Sequence, residues 1–364
     1  MAFDFASLFR ADLPPAAARW NGFPKYNFVG GHNDGEALPL DGLVEAATRV
    51  LRREGRTLAM YGLQSGPQGY RPLREFIAET LNRRTGMTCS ADDVLVTSGS
   101  LQALDLINAL LLAPGDTAIA EEATYGGAVT RLQRRGVDCL GVSLDDGGIR
   151  LDHLEELLSG LAAKGTKPKY VYTIPTVQNP TGTVMSEARR LDLLALARKY
   201  DVAIFEDDCY ADLVWNGTRP RSIRALDTDG RVVYCGSFSK SIAPALRLGF
   251  IVADWPVMSR LLGLKTDAGT GALEQMVLAE YCPGRFDAHV SALAQKLKSK
   301  HDVMLDALGR EFGTTAEVKA AQGGIFLWIA LPDTVDTTKL FQAAGKEGVA
   351  INPGAEWVVD AATG

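Results

Sequence analysis

Lys240 closes the segment Gly236-Ser237-Phe238-Ser239-Lys240, and Arg247 follows it seven residues later. A lysine set between small hydroxyl residues, just after an apolar run and just before an arginine, is suited to one chemical task. Its amine can join an aldehyde as a Schiff base, while the hydroxyls and the guanidinium hold a phosphate carried by the same molecule. Arginine suits the second part because its planar fork gives bidentate, charge-assisted bonds to phosphate.

Four other short segments offer matching chemistry. Ser98-Gly99-Ser100 opens onto Leu101, where a helix N-terminus approached through glycine would turn backbone N–H groups toward an anion. Ala123-Thr124-Tyr125-Gly126 supplies an aromatic plate, Asn179-Pro180-Thr181-Gly182 an amide, and Glu206-Asp207-Asp208-Cys209-Tyr210 a carboxylate and a phenol. Each segment alone has a plainer explanation. Asn-Pro-Thr-Gly is a turn, Asp207-Asp208 a strand-end turn or helix cap, and Ser98-Gly99-Ser100 a tight connection with a serine N-cap. Tyr125 alone is a packed aromatic, and Lys240 alone a surface lysine. The plain explanations do not cover all five at once.

The elements are what bring these segments together. β-rich runs fall at Val94–Thr97, Thr117–Ala120, Val137–Val142, Tyr170–Ile174, Val202–Phe205, Val232–Tyr234 and Phe250–Val252. Helical patterns lie between many of them, at Leu101–Leu112, Gly127–Arg135, Leu151–Leu161 and Glu187–Lys199. The alternation predicts βαβ units around a largely parallel sheet, so the fold class is α/β. Several runs are apolar throughout, as expected of strands covered on both faces. Ligands of such sheets bind outside the carboxyl ends of the strands, which puts all five segments on one rim.

An amphipathic helix is expected over Pro72–Arg84, because Leu73, Phe76, Ile77, Thr80 and Leu81 share one face. The stretch up to about Pro39 is irregular and rich in Pro, Gly and aromatics. After Asp254 the texture changes. A long helical region runs from Pro256–Leu264 to about Leu308, then a strand-like Ile325–Ile329, then a helix near Thr338–Glu347. The expected division is an N-terminal arm over 1–45 that joins the smaller domain, a large α/β domain over 46–255, and a small α+β domain over 256–364.

A net charge of -6 and a pI of about 5.4 argue against non-specific binding to nucleic acid or anionic membrane. No apolar run approaches the ~20 residues of a membrane span, and the N-terminus lacks the pattern of a secretory signal. Five dispersed cysteines, odd in number and without a C-x-x-C pair, read as reduced thiols of a cytoplasmic protein. No His, Cys and carboxylate cluster has metal-ligand spacing, so no metal is expected. No Cys–His or Ser–His catalytic arrangement stands out.

The chain resembles the class I/II aminotransferases, the pyridoxal-phosphate enzymes of fold type I, over nearly its whole length. The most specific parts are Asn179-Pro180-Thr181-Gly182, Asp207 with Tyr210 three positions on, and Ser237-x-Ser239-Lys240 followed by Arg247. Tyr61-Gly62 and Gly69-Tyr70-Arg71-Pro72-Leu73-Arg74 also match. Phe28-Val29-Gly30-Gly31-His32-Asn33 and Gly323-Gly324-Ile325-Phe326-Leu327-Trp328 resemble the branch of 2-aminoadipate, kynurenine and aromatic aminotransferases. The resemblance implies a mostly parallel central sheet flanked by helices, a smaller α+β domain, pyridoxal 5'-phosphate as cofactor, and a place in amino acid metabolism. It implies that Lys240 forms the Schiff base and shuttles the proton between substrate Cα and cofactor C4′. Asp207 would pair with the ring nitrogen, Asn179 and Tyr210 would bond the ring hydroxyl oxygen, and Tyr125 would stack on the ring. Ser237, Ser239, Arg247 and the amides of Ser100 and Leu101 would hold the phosphate. Tyr61 would reach the phosphate of a neighbouring subunit, which implies a homodimer with shared active sites. Gly31, with Gly30, would lie over the substrate, and Asn179 would also face it.

One departure stands out. Family members hold the substrate α-carboxylate with an arginine on a late strand of the small domain. The segment before it resembles Val349–Trp357, yet the sequence stops at Gly364, where that strand should begin, and no arginine follows Arg310. The expectation is that the natural chain continues; otherwise it ends here and transaminates poorly or not at all.

The leading expectation is amino-group transfer between an L-amino acid and a 2-oxo acid. The alternatives are another reaction on the same scaffold, such as β-lyase or decarboxylase chemistry, and a regulatory binding domain of the aminotransferase-like kind. Sixty residues precede Tyr61 in this sequence, and they carry no basic helix-turn-helix pattern, which disfavours the regulator.

Overall fold

The computed structural model describes residues 3–11, 13–20, 22–215 and 219–360. Seven strands form the central sheet: β1 (Val94–Thr97), β2 (Thr117–Glu121), β3 (Asp138–Val142), β4 (Tyr170–Thr173), β5 (Ala203–Asp207), β6 (Val232–Ser237) and β7 (Gly249–Val252). Their order is β1-β7-β6-β5-β4-β2-β3. All neighbours run parallel except β7, which is antiparallel to both β1 and β6. Because β7 is reversed between them, β1 and β6 still point the same way. The carboxyl ends of β1, β2, β4, β5 and β6 therefore share one rim.

The helices are α1 (Leu40–Glu54), α2 (Arg71–Thr85), α3 (Ser100–Leu111), α4 (Gly126–Arg134), α5 (Leu151–Ala163), α6 (Glu187–Lys199), α7 (Ile223–Leu226), α8 (Trp255–Leu264), α9 (Ala272–Tyr281), α10 (Phe286–Phe312) and α11 (Thr337–Lys346). Their ends carry the expected local signals. Pro72 opens α2 and Gly86, in the left-handed region, closes it. The Ser186 hydroxyl accepts from the Arg189 N–H and caps α6.

Strand alternation sends neighbouring residues to opposite faces. Val94 and Val96 pack with Leu73, Ile77 and Leu81 of α2 and with Met276 and Leu278 of α9. Leu95 points the other way, into a core with Leu104 and Ile107 of α3 and Met258 and Leu261 of α8. A third core joins Ile119, Val171 and Ile204 to α5 and α6. Each fully buried aliphatic side chain contributes about 1.5–3 kcal/mol relative to exposure.

The structure differs from the sequence reading in two places. Residues 40–54, to which the sequence assigns no element, form α1, which buries Ala46 and Val50 against α9 and its surroundings. Of the strand-like run Ile325–Ile329, only Ile329 is in a strand, the two-residue Ile329–Ala330 paired with Glu317–Val318. The reason lies upstream: the Gly324 N–H donates to the Leu213 carbonyl (3.0 Å) and Trp215 N–H to that of Gln322 (2.9 Å). That docking turns Ile325 and Phe326 onto the core around Tyr210 instead of into a ladder.

The N-terminal arm returns to the late part of the chain, where Tyr26–Asn27 pairs in parallel with Val349–Ala350. Arg74, almost fully buried, ties down the loop that carries Tyr61. It donates to the carbonyls of Gly69 (3.0 Å), Ala91 (2.6 Å) and Ser65 (3.1 Å). The closing residues 361–364, on which the expectation about the chain's end bears, lie outside the described residues.

Candidate active site

Lys240 leaves the end of β6 through Phe238 and Ser239 and turns its amine into the cleft at the rim. Nζ donates to the Gly31 carbonyl at 2.7 Å and lies 6.0 Å from the centre of the Tyr210 ring. Burial, with the Arg247 guanidinium nearby, holds the amine below the usual lysine range. Gly31 sits at φ +60°, and a Cβ there would stand 2.7 Å from Nζ. The backbone at this position therefore favours glycine, and a side chain there would displace the lysine amine. Asn33 secures the same loop through its side-chain amide, which donates to the Ile242 carbonyl (3.0 Å).

Asp207 is the last residue of β5 and is buried. Its Oδ2 accepts from the Tyr172 hydroxyl at 2.8 Å, and its Oδ1 from the Cys209 N–H at 3.3 Å. Burial raises the carboxyl above its ordinary value, while these donors and the Cys209 side chain pull it back. Three residues on, the Tyr210 hydroxyl accepts from Asn179 Nδ2 at 2.8 Å. Burial pushes that phenol well up, so it stays protonated. Tyr125 stands before α4, next to Trp357, with ring centres 5.9 Å apart.

The anion cradle is built by close backbone packing. Gly99, at φ +79°, leads into α3, and a Cβ on it would meet Arg247 Nη2 at 2.3 Å. A Cβ on Gly249 would meet the backbone of Gly99 and Ser100 at 2.6 Å. Arg247 thus closes on Gly99, just before the turn where the amides of Ser100 and Leu101 begin α3, and its Nη2 donates to the Ser98 carbonyl (3.5 Å). Ser237 and Ser239 are both buried beside it, with Ser239 N–H donating to Ser237 Oγ at 3.1 Å.

The structure thus brings Lys240, Asp207, Tyr210, Asn179, Tyr125, Ser237, Ser239, Arg247, Ser100, Leu101 and Gly31 to one rim. Tyr61 stands apart, 89% exposed. Sequence reasoning missed Tyr172, Gln178, Glu121 and the placement of Trp357. The sequence places Tyr170 and Tyr172 on one face of a period-2 strand, but it carries no signal that Tyr172 reaches Asp207.

Sequence spacing also concealed a group of potential metal ligands. Asp207, Cys209 and Cys235 have ligand atoms all within 4.8 Å of one another, the one such group among the described residues. The cause is register: Asp207 pairs with Cys235 across β5 and β6, and Cys209 lies two residues further on. Both thiols have raised pKa values, Cys209 first through its hydrogen bond to Cys235 and then through burial, Cys235 through burial. Metal ligation needs thiolates, so this setting favours the thiols as donors near Asp207.

The cleft fits pyridoxal phosphate on its own terms. It offers a partly buried amine of reduced basicity, a buried carboxyl, and a helix N-terminus where an arginine guanidinium closes on a glycine whose positive φ strains any side chain.

Comparison with known proteins agrees. The family model described as "Aminotransferase class I and II" matches residues 25–363. The chain is 36% identical to aromatic-amino-acid aminotransferase 1 of Thermococcus litoralis, over 90% of this chain and 79% of that protein. It is 34% identical to the 2-aminoadipate transaminase of Thermus thermophilus, over 90% and 80%. Among solved structures, kynurenine aminotransferase of Pyrococcus horikoshii, in complex with PMP, superposes with a TM-score of 0.86. That match has 35% identity and covers 92% of this chain and 83% of the other.

Proposed function

The chain belongs to the class I and II aminotransferases, and from that premise we propose how its own residues transfer an amino group between an L-amino acid and a 2-oxo acid. Pyridoxal phosphate, when bound, supplies an aldehyde that holds the substrate amine and a protonated ring that draws electrons from the substrate carbon. Lys240 would hold the cofactor through Nζ and, when free of it, would take the proton from substrate Cα, a task suited to an amine of lowered basicity. Asp207 would hold a proton on the ring nitrogen, and Tyr172 keeps its Oδ2 in place. Asn179 and Tyr210 would bond the ring oxygen, and Tyr125 would shield the ring from water. Ser237, Ser239, Arg247 and the N–H groups of Ser100 and Leu101 would hold the phosphate. The Gly31 backbone would close over the substrate, next to Asn179.

One observation carries this assignment: Lys240 Nζ reaches the enclosure formed by Tyr210, whose hydroxyl receives the Asn179 amide. The test is a panel of amino acids, including aromatic ones, 2-aminoadipate and kynurenine, added to the cofactor-loaded protein. Stoichiometric 2-oxo acid and conversion of the cofactor to its amine form support transfer. Release of ammonia and pyruvate would instead assign a β-lyase.

The proposal extends to assembly and location. Tyr61, with Phe3, Phe5, Trp20, Phe23 and Phe28 of the arm, exposes apolar rings to solvent. A second copy of the chain fits that surface, with Tyr61 reaching the partner's phosphate. The arm over 1–45 then belongs with the small domain over 256–364, as the Tyr26–Asn27 ladder with Val349–Ala350 supports. The large domain begins near 46, and the strand–helix alternation ends near 255, although α8 and α9 still pack on its cores. Five free thiols support a cytoplasmic location, and no helix among the described residues is long and apolar enough to cross a membrane.

A further inference from the structure

Behind the cleft lies a polar group that the reaction itself does not use. Glu121, the last residue of β2, is fully buried, and three groups donate to its carboxyl oxygens. Thr173 Oγ1 donates at 2.6 Å, Ile174 N–H at 3.2 Å and Gln178 Nε2 at 2.9 Å. Gln178 is 1% exposed, and its side chain is saturated. Nε2 also donates to the Ala123 carbonyl at 2.7 Å, while Oε1 accepts from Thr181 N–H at 2.8 Å and from Thr181 Oγ1 at 2.7 Å. The backbone closes the same loop, with Gln178 N–H on the Thr183 carbonyl at 2.8 Å and Gly182 N–H on that of Gln178 at 2.6 Å. One side chain thus staples the turn that carries Asn179 to the loop that carries Tyr125.

We propose that Gln178, gripped by Glu121, is a positioning residue that fixes the Asn179 amide against Tyr210 and so sets how much charge is drained from the ring oxygen of the bound cofactor. The proposal rests on the aminotransferase reading of this site and adds a residue to it. Gln178 touches no reacting atom; it acts through its neighbour. A buried amide with all its hydrogen-bonding capacity engaged has a single orientation, because any other leaves a buried group unpaired. Glu121 is the shared acceptor on which three donors converge.

The test uses the pH at which the bound cofactor changes its visible absorbance. Donors to the ring oxygen withdraw charge that would otherwise stabilise a proton on the adjacent nitrogen, so weakening them raises that midpoint. Gln178→Ala should raise it by roughly one pH unit, the equivalent of a hydrogen bond. Asn179→Ala should shift it in the same direction. The double variant should shift it no further than Asn179→Ala alone, because the glutamine acts only through the asparagine. Glu121→Gln, which keeps the shape but misplaces one donor, should give a smaller shift of the same sign, and serves if Gln178→Ala does not fold. An unchanged midpoint in the single variants, or an equal Gln178→Ala shift with and without Asn179, overturns the proposal. A wild-type protein that forms no borohydride-stable adduct at Lys240 would instead overturn the reading of the site beneath it.

Discussion

At the scale of single residues, the site depends on what each polar atom is given to bond. Asp207 can hold a proton on a ring nitrogen only as a carboxylate, and burial works against that form. The Tyr172 hydroxyl offsets part of the cost. Tyr172→Phe should therefore weaken cofactor binding by about 1–2 kcal/mol, roughly 5- to 30-fold, in an equilibrium titration of the cofactor-free protein. Unchanged affinity would leave Tyr172 as a packing residue. The residues that do the chemistry were legible because their types sit just past apolar runs, as with Lys240 after β6. Tyr172 was not, because a tyrosine inside a strand reads as core until the neighbouring strand's register is known. The same holds for the pairing of Cys235 with Asp207.

At the scale of elements, strands and helices came through because their periodicity is local, while their partners are not. All seven sheet strands and α2 to α6 fall within a few residues of the runs seen in the sequence. The reversed direction of β7 and the absence of strand at Ile325–Trp328 come from long-range docking that no local pattern carries. Backbone packs tightly against backbone where β7 meets the start of α3. Gly249 leaves no room for a methyl group, since a Cβ would press on the backbone of Gly99 and Ser100. Backbone cannot rotate away as a side chain can. Gly249→Ala should destabilise the protein by about 2 kcal/mol or more in urea unfolding and loosen the anion cradle with it. A variant as stable as the parent would mean that β7 and α3 have slack.

At the scale of the whole molecule, the sheet buries three carboxyls, Glu121, Glu206 and Asp207, all raised by burial. Burial pushes Glu121 and Glu206 each up to about 7 from an ordinary value near 4.5. A group raised on folding adds stability that is full below its unfolded value and is lost as pH rises through the folded one. Between about pH 4.5 and 8 these two therefore make the protein less stable as pH rises. His289, lowered by burial, opposes them in the lower part of that window, one group against two. Carboxyls lowered to about 2, such as Asp229 and Asp267, act only in acid. Unfolding of the cofactor-free protein should show stability falling across that range, on the order of 1–3 kcal/mol. Glu121→Gln should flatten the fall; an equally steep curve in the variant would assign the dependence elsewhere.

The most direct measurement is to load the protein with pyridoxal phosphate, reduce it with borohydride, and find the modified peptide by mass spectrometry. The account predicts a single cofactor-bearing lysine, Lys240, and none in Lys240→Ala, whose fold is retained. A stable label on any other lysine, or no label at all on a folded protein, would contradict it.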